Sequence, residues 1–257
     1  MAATKVVVIT GASAGIGEAI AQRMKTCRLV LVARRQGELE RVAQAVGGEP
    51  LVVVADVTRQ ADVERAKDEA LARFGRVDVW INNAGRGIVK PALALTEADV
   101  DDMMLVNVKS ALWGMQAILP HMMARGDGHV LNISSFLSKI PIASVRSMYS
   151  AAKAALNSLA SNVRADLAPT HPNVHITTVL PGIVLTEFGK NAGGPPSGSA
   201  PPANPAMKPQ TAPEVADVVA RAIDAPGAAE VYTNPGHAAF FARYVEVGGD
   251  LARLARG

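Results

Sequence analysis

Residues Lys5-Val6-Val7-Val8-Ile9 run straight into Thr10-Gly11-Ala12-Ser13-Ala14-Gly15-Ile16-Gly17, and the stretch from Glu18 to Lys25 reads as a helix. A short apolar strand, a glycine turn and a helix form the arrangement that cradles a pyrophosphate. The glycines let the backbone approach closely, and the helix N-terminus offers free N–H groups and the positive end of its dipole. The same turn is also compatible with a plain strand-to-helix connection. The glycine spacing is Gly-x-x-x-Gly-x-Gly rather than Gly-x-Gly-x-x-Gly.

The alternation continues along the chain. Leu29–Val32, Leu51–Ala55, Val77–Ile81, His129–Ile133, Val174–Leu180 and Glu230–Thr233 read as further strands. Helices are expected over Glu38–Val46, Asp62–Phe74, Tyr149–Leu167 and Pro213–Ala225, the last started by Thr211. A long one starts at Thr96 with Asp99 and runs through Asn107 to Leu119. Hydrophobic residues make up 49% of the 257, and only 4% are aromatic. The apolar content is mostly Ala, Val, Leu and Ile, which suits a parallel sheet buried on both faces. The expected fold is α/β: a single doubly wound parallel sheet of Rossmann type with helices on both faces, one domain over residues 1–257.

Charge excludes little and metal chemistry finds no support. The net charge is +3, with acids and bases interspersed, so no nucleic-acid surface is expected. Cys27 is the only cysteine and allows no intrachain disulfide, and no apolar run reaches the ~18 residues of a bilayer span. With no signal-peptide pattern before the first strand, a cytoplasmic location is expected. The five histidines lack metal-ligand spacing; His171 and His175 are interrupted by Pro172.

The strand carboxyl ends carry the candidate ligand-binding residues, where ligands sit in such sheets. The second strand ends in Ala33-Arg34-Arg35, where an Asp or Glu would bind a ribose 2′-hydroxyl. Two guanidiniums suit a 2′-phosphate instead, hence NADP(H) over NAD(H), although two solvated arginines opening a helix would look the same. The third strand leads to Asp56-Val57-Thr58. Asp56 is placed to accept from an adenine amino group, to cap the helix beginning near Gln60, or both. Asn82-Asn83-Ala84-Gly85 suits close packing against a cofactor or an ordinary turn. Pro181-Gly182-Ile183-Val184-Leu185-Thr186 leaves the sixth strand, and residues 189–209, crowded with Gly and Pro, read as a substrate lid. The extension 234–257 holds Phe240, Phe241 and Tyr244, which fit a substrate pocket, a subunit contact or packing.

Tyr149 and Lys153 lie four apart on one helix face, which sets an ammonium beside a phenol. Positive charge nearby favours the phenolate, and a phenol tuned toward working pH gives or takes a proton. Asn107, flanked by apolar residues, is a mid-helix cost that has a reason if it organises a site; a solvent-facing Asn is the alternative.

Taken together, Thr10-Gly11-x-x-x-Gly15-Ile16-Gly17, Asn82-Asn83-Ala84-Gly85, Asn107, Ser135, Tyr149-x-x-x-Lys153 and Pro181-Gly182 resemble the short-chain dehydrogenase/reductase family, from Thr10 to about Thr233. The resemblance implies an NAD(P)-dependent oxidoreductase with a tetrad of Asn107, Ser135, Tyr149 and Lys153. It implies cofactor contacts from Gly11, Ser13, Ile16, Gly17, Arg34, Arg35, Asp56, Val57, Asn83, Ala84, Gly85, Tyr149, Lys153, Pro181, Gly182, Val184 and Thr186. Ser135 is preferred to Ser134 because the family serine lies about thirteen residues before the tyrosine; here the interval is fourteen. Ser138 stands where the family often has glycine, and Lys25-Thr26-Cys27-Arg28 is shorter than the usual turn into strand two. The expected reaction is hydride exchange with a hydrophobic carbonyl or alcohol, in a homodimer or homotetramer. A non-catalytic NADP-binding sensor or scaffold is the alternative. A nucleotide-sugar epimerase would need a larger substrate domain, and a methyltransferase would leave the Tyr149–Lys153 pair unexplained.

Overall fold

The computed structural model describes residues 4–189 and 208–255. β1 (Val6–Thr10), β2 (Arg28–Ala33), β3 (Leu51–Val54), β4 (Val79–Asn82), β5 (Gly128–Ile133), β6 (Val174–Leu180) and β9 (Glu230–Tyr232) form one seven-stranded sheet in the order β3-β2-β1-β4-β5-β6-β9. Every pairing is parallel. A short parallel pair, β7 (Val184–Leu185) with β8 (Gln210–Thr211), lies apart; neither strand was foreseen from sequence.

Alternate strand residues feed two cores, because successive side chains point to opposite faces. Val6, Val8, Val30, Val32, Val130 and Ile176 pack with α3 (Gln60–Phe74), α5 (Ser110–Arg125) and α6 (Ser147–Leu167). Val7, Ile9, Leu29, Leu31, Leu131 and Val179 pack with α1 (Gly15–Arg23), α2 (Gln36–Val46) and α7 (Ala212–Asp224). Each fully buried Val, Leu or Ile contributes about 1.5–3 kcal/mol, so the unbroken apolar strands favour coverage on both faces.

Both expected helix starts carry reciprocal caps. Thr96 Oγ1 accepts from Asp99 N and Asp99 accepts from Thr96 N ahead of α4 (Glu97–Met104); Thr211 and Glu214 do the same ahead of α7. The long helix expected from Thr96 to Leu119 is not one regular helix. A π turn, Leu105–Lys109, joins α4 to α5, and α5 continues past Pro120 to Arg125. The local cause is side-chain competition for backbone carbonyls: Asn107 Nδ2 donates to Met103 O at 3.1 Å and Ser110 Oγ to Val106 O at 2.8 Å.

Asp56 does not cap α3, whose first residue follows Arg59. Its carboxylate instead accepts from Thr58 N (3.0 Å) and Thr58 Oγ1 (2.7 Å), while Asp62 holds the Asp56 N–H at 2.8 Å. The C-terminal extension forms α8 (Gly236–Glu246) and α9 (Leu251–Ala255). Most of the expected lid, 190–207, lies outside the described residues. Among the described residues no helix is long and apolar enough to cross a membrane.

Candidate active site

The glycine turn is built to let backbones touch. Gly11 is left-handed at φ +66°, and a Cβ on it would sit 2.9 Å from Ala84 Cα. A Cβ on Gly17 would lie 2.6 Å from Asn83 Nδ2 and collide with the Gly11 carbonyl. Asn83 Nδ2 donates to Thr10 O (2.9 Å) and Gly11 O (3.2 Å), and Thr10 Oγ1 accepts from Asn83 N and Ala84 N. Asn83 and Thr10 thus tie the end of β4 to the turn after β1. Thr10 opens the glycine motif in sequence, but its role as acceptor for the strand-four end was not legible there. Thr186 lies over the same turn, since a Cβ on Gly15 would be 3.5 Å from its side chain.

At the end of β2, Arg35 Nη2 donates to Ser13 Oγ at 3.3 Å, which brings a guanidinium onto the glycine turn. Arg34 is exposed and makes no such contact among the described residues. Burial pushes the Asp56 carboxyl up, but the Thr58 hydrogen bonds and the charges of Arg34 and Arg59 outweigh it and hold it below its ordinary value. Arg34, Arg35, Ser13 and Asp56 therefore meet at one corner. A nicotinamide dinucleotide fits this cradle: small residues leave room for its backbone approach, and cations gather at the strand-two end.

The expected catalytic residues converge where β4, β5, the π turn and α6 come together. Gly85 is the point of contact: a Cβ there would be 2.9 Å from Asn107 Oδ1 and 3.4 Å from Lys153 Nζ. Asn107 is 1% exposed, so it is not the solvent-facing alternative. Its Nδ2 donates to Arg86 O at 2.9 Å and its Oδ1 accepts from Arg86 N at 3.3 Å, clamping the loop after Gly85. Of the two serines, Ser134 is committed elsewhere, donating to Asn157 Oδ1 at 2.6 Å. Ser135 faces Tyr149 and hydrogen-bonds with it. Phe136 N donates to Pro181 O at 2.8 Å, which joins the serine strand to the Pro181-Gly182 turn.

The electrostatics overturn one expectation. Lys153 is 4% exposed and its Nζ donates to the Ile133 carbonyl at 2.8 Å, lying 5.9 Å from the Tyr149 ring centroid. Burial pushes Tyr149 up to about 12; the opposing pulls come from the Ser135 hydrogen bond and the charge of Arg146, and not from Lys153. Burial pushes Lys153 itself down to about 8. Desolvation of both groups outweighs the i,i+4 attraction that the spacing alone suggested.

Three further neighbours complete the site: Arg146 and His237, not singled out from sequence, and Phe188, which borders the expected lid. Arg146, at the start of α6, is the cation that acts on Tyr149. Phe188 lies across Tyr149, ring centroids 5.6 Å apart. His237 stacks on Phe136 at 3.9 Å and lies against Gly182. The aromatic tail is packed: Phe240, Phe241 and Tyr244 join Phe136, Ile140, Ile142, Ile183 and Tyr232 in a cluster beside Ser135. Among the described residues no group of three or more His, Cys, Asp or Glu could hold a metal.

The family model for short chain dehydrogenases matches residues 5–195. The chain belongs to the short-chain dehydrogenase/reductase family. It is 34% identical over 184 residues to an uncharacterized oxidoreductase of Staphylococcus epidermidis, covering 71% of this chain and 79% of that one. An alcohol dehydrogenase from Thermococcus sibiricus, complexed with 5-hydroxy-NADP, is similar at TM-score 0.76 and 30% identity, over 90% of this chain and 96% of that chain. A family member from Burkholderia phymatum in complex with NAD is similar at TM-score 0.83 and 25% identity, over 95% of each chain. The protein is thus an oxidoreductase of this family, and its structural neighbours bind NAD(P).

Proposed function

We propose that this oxidoreductase interconverts a carbonyl and a secondary alcohol on a largely apolar small molecule, with NADP(H) preferred and NAD(H) possible. The observation that carries the reading is the meeting of Asn107 and Lys153 at Gly85, with Tyr149 beside Lys153 and Ser135 beside Tyr149. A bound nicotinamide supplies or accepts the hydride.

Tyr149 exchanges the proton with the substrate oxygen. Held neutral by burial, its phenol is ready to donate in the reducing direction. Ser135 orients that oxygen and stabilises charge as it develops. Lys153 holds ribose hydroxyls and favours the phenolate once its ammonium has turned from the Ile133 carbonyl. Asn107 fixes the Arg86 backbone and holds a water linking Lys153 to solvent. Gly11, Ser13, Ile16, Gly17, Thr186 and the Asn83-Ala84-Gly85 backbone cradle the diphosphate and its flanks. Asp56 and Val57 meet the adenine, and Pro181, Gly182 and Val184 meet the carboxamide end. Arg35, anchored on Ser13, and Arg34 receive the 2′-phosphate. The cluster of Ile140, Ile142, Ile183 and Phe240 supplies an apolar wall. The reading takes residues 1–257 as one dinucleotide-binding domain, cytoplasmic and homo-oligomeric.

The test is a binding titration with NADPH and NADH on the wild type, Arg34→Ala and Arg35→Ala. NADPH should win by about tenfold or more, ~1.4 kcal/mol, and the arginine variants should lose that margin. Equal or tighter NADH binding by the wild type refutes the phosphate clamp. Binding with no turnover of any carbonyl or alcohol would leave a non-catalytic sensor.

A further inference from the structure

Arg146 is a cation with nothing to hold. Among the described residues its guanidinium makes no hydrogen bond and no ion pair; only its backbone is engaged, the N–H donating to Ala143 O at 2.8 Å and the carbonyl accepting from Ser150 N at 2.9 Å. Its Nη1 is completely buried without an acceptor. Two acids of α4 are held by other cations. Asp99 takes Lys90 at 2.6 Å together with Thr96, and Asp102 takes Arg86. Burial pushes the Arg146 guanidinium below its ordinary value, and Tyr149 alone opposes it.

Gly87 lies against Nη1, with Phe188 beside it. A Cβ on Gly87 would lie 2.8 Å from Arg146 Nη1 and 2.9 Å from Phe188 Cε1, so only a glycine at 87 leaves the guanidinium its place. Phe188 in turn lies across Tyr149. The orphaned donor therefore lies beside Phe188, next to the place where a substrate would meet Tyr149. A buried donor left without an acceptor is costly, and a guanidinium meets a carboxylate with charge-assisted hydrogen bonds.

We propose that Arg146 receives a carboxylate on the substrate, so that the enzyme acts on apolar ketones or alcohols carrying an acid group close to the reacting carbon. Gly87 makes room for the guanidinium, and Phe188 shifts aside or packs on the substrate's apolar part. The proposal rests on the carbonyl–alcohol reading above and names the substrate class for that same site.

The test uses phenyl-substituted oxo acids with the carboxylate one, two or three bonds from the ketone carbon, each beside its methyl ester. Turnover is measured with NADPH and with NADH on the wild type, Arg146→Met and Arg146→Lys. Folding is checked by circular dichroism. At one spacing or more, the wild type should favour the acid over its ester in kcat/KM by about tenfold or more. Arg146→Met should bring that ratio close to one, and Arg146→Lys should keep part of it. The ratio is the readout because a general effect of Arg146 on the Tyr149 proton step lowers acid and ester alike and leaves the ratio standing. Calorimetric binding of the same acids and esters to the protein with NADP+ runs in parallel. Preferential acid binding that Arg146→Met removes, without turnover of either, supports the carboxylate site while refuting the catalytic reading. An ester favoured as much as its acid at every spacing, or an acid preference that survives in Arg146→Met, overturns the proposal.

Discussion

Replacing Lys153 by Met should make the free protein more stable and less active. Below pH 8 the buried ammonium is charged in a place that favours its neutral form, because burial has pushed it from 10.5 to about 8. That gap is worth about 3 kcal/mol. The sign follows from proton uptake: between pH 8 and 10.5 the unfolded chain binds the proton that the folded chain has released. The penalty is therefore fully present below pH 8 and is lost as pH rises toward 10.5. Methionine keeps a similar apolar length and removes the charge. It also abandons the 2.8 Å bond to the Ile133 carbonyl, at a cost of about 1.5–3 kcal/mol for a charged donor. The net gain at pH 7 is about 0.5–2 kcal/mol, or about 1–8 °C in Tm for a chain of this size. Urea unfolding without cofactor, at pH 7 and again near pH 10, measures it. The variant should exceed the wild type at pH 7, lose that lead near pH 10, and have no turnover. Equal or lower stability at pH 7, or a lead that ignores pH, would show that burial of Lys153 is not the strained feature we take it to be.

Two further outcomes follow from buried polar groups. Thr177 Oγ1 donates to Ala228 O, so His129 must donate to it through Nε2 (2.9 Å) and is neutral, with Nδ1 buried and unpartnered. Burial, with help from His175, pushes its pKa down to about 3 from 6.5. Between those values the unfolded chain binds the extra proton, so stability falls as pH drops below 6.5, by about 2 kcal/mol at pH 5. Urea midpoints at pH 7 and pH 5 should show a smaller loss in His129→Gln, and an unchanged loss contradicts the assignment. Asn107→Leu strips three backbone hydrogen bonds from Met103 and Arg86, so it should cost about 2–4 kcal/mol. Turnover should fall further than cofactor affinity; a fall in affinity alone would move Asn107 out of the catalytic centre.

Tyr149→Phe separates the chemistry from the binding. It should abolish turnover and leave NADPH affinity largely intact, and near-normal turnover would remove Tyr149 from the proton step.

Strand and helix identity was legible because it rests on local pattern. Apolar runs bounded by Gly, the Thr96 and Thr211 caps and the two-face demand of unbroken valines fix a parallel sheet whatever the details of packing. The spacing of Tyr149 and Lys153 was legible for the same reason, since one helix sets it. What spacing does not carry is solvent. Four residues of helix put an ammonium and a phenol on one side. Only the surrounding β4, β5 and π-turn segments decide that both are dry, that desolvation outweighs their attraction, and that the ammonium turns to the Ile133 carbonyl.

The same division runs through the rest of the site. The π turn arises from Asn107 and Ser110 competing for carbonyls, a contest that helix propensity registers only as a mild cost. Arg146 reads in sequence as an ordinary polar residue before a helix. Its significance comes from Gly87 and Phe188, far away in the chain, which close over one of its nitrogens. The sequence by itself determined the order of elements and the residue types at each strand end. Burial, the choice of partner for each polar atom and the sign of each pKa shift belong to tertiary structure, because they depend on which distant segments exclude water.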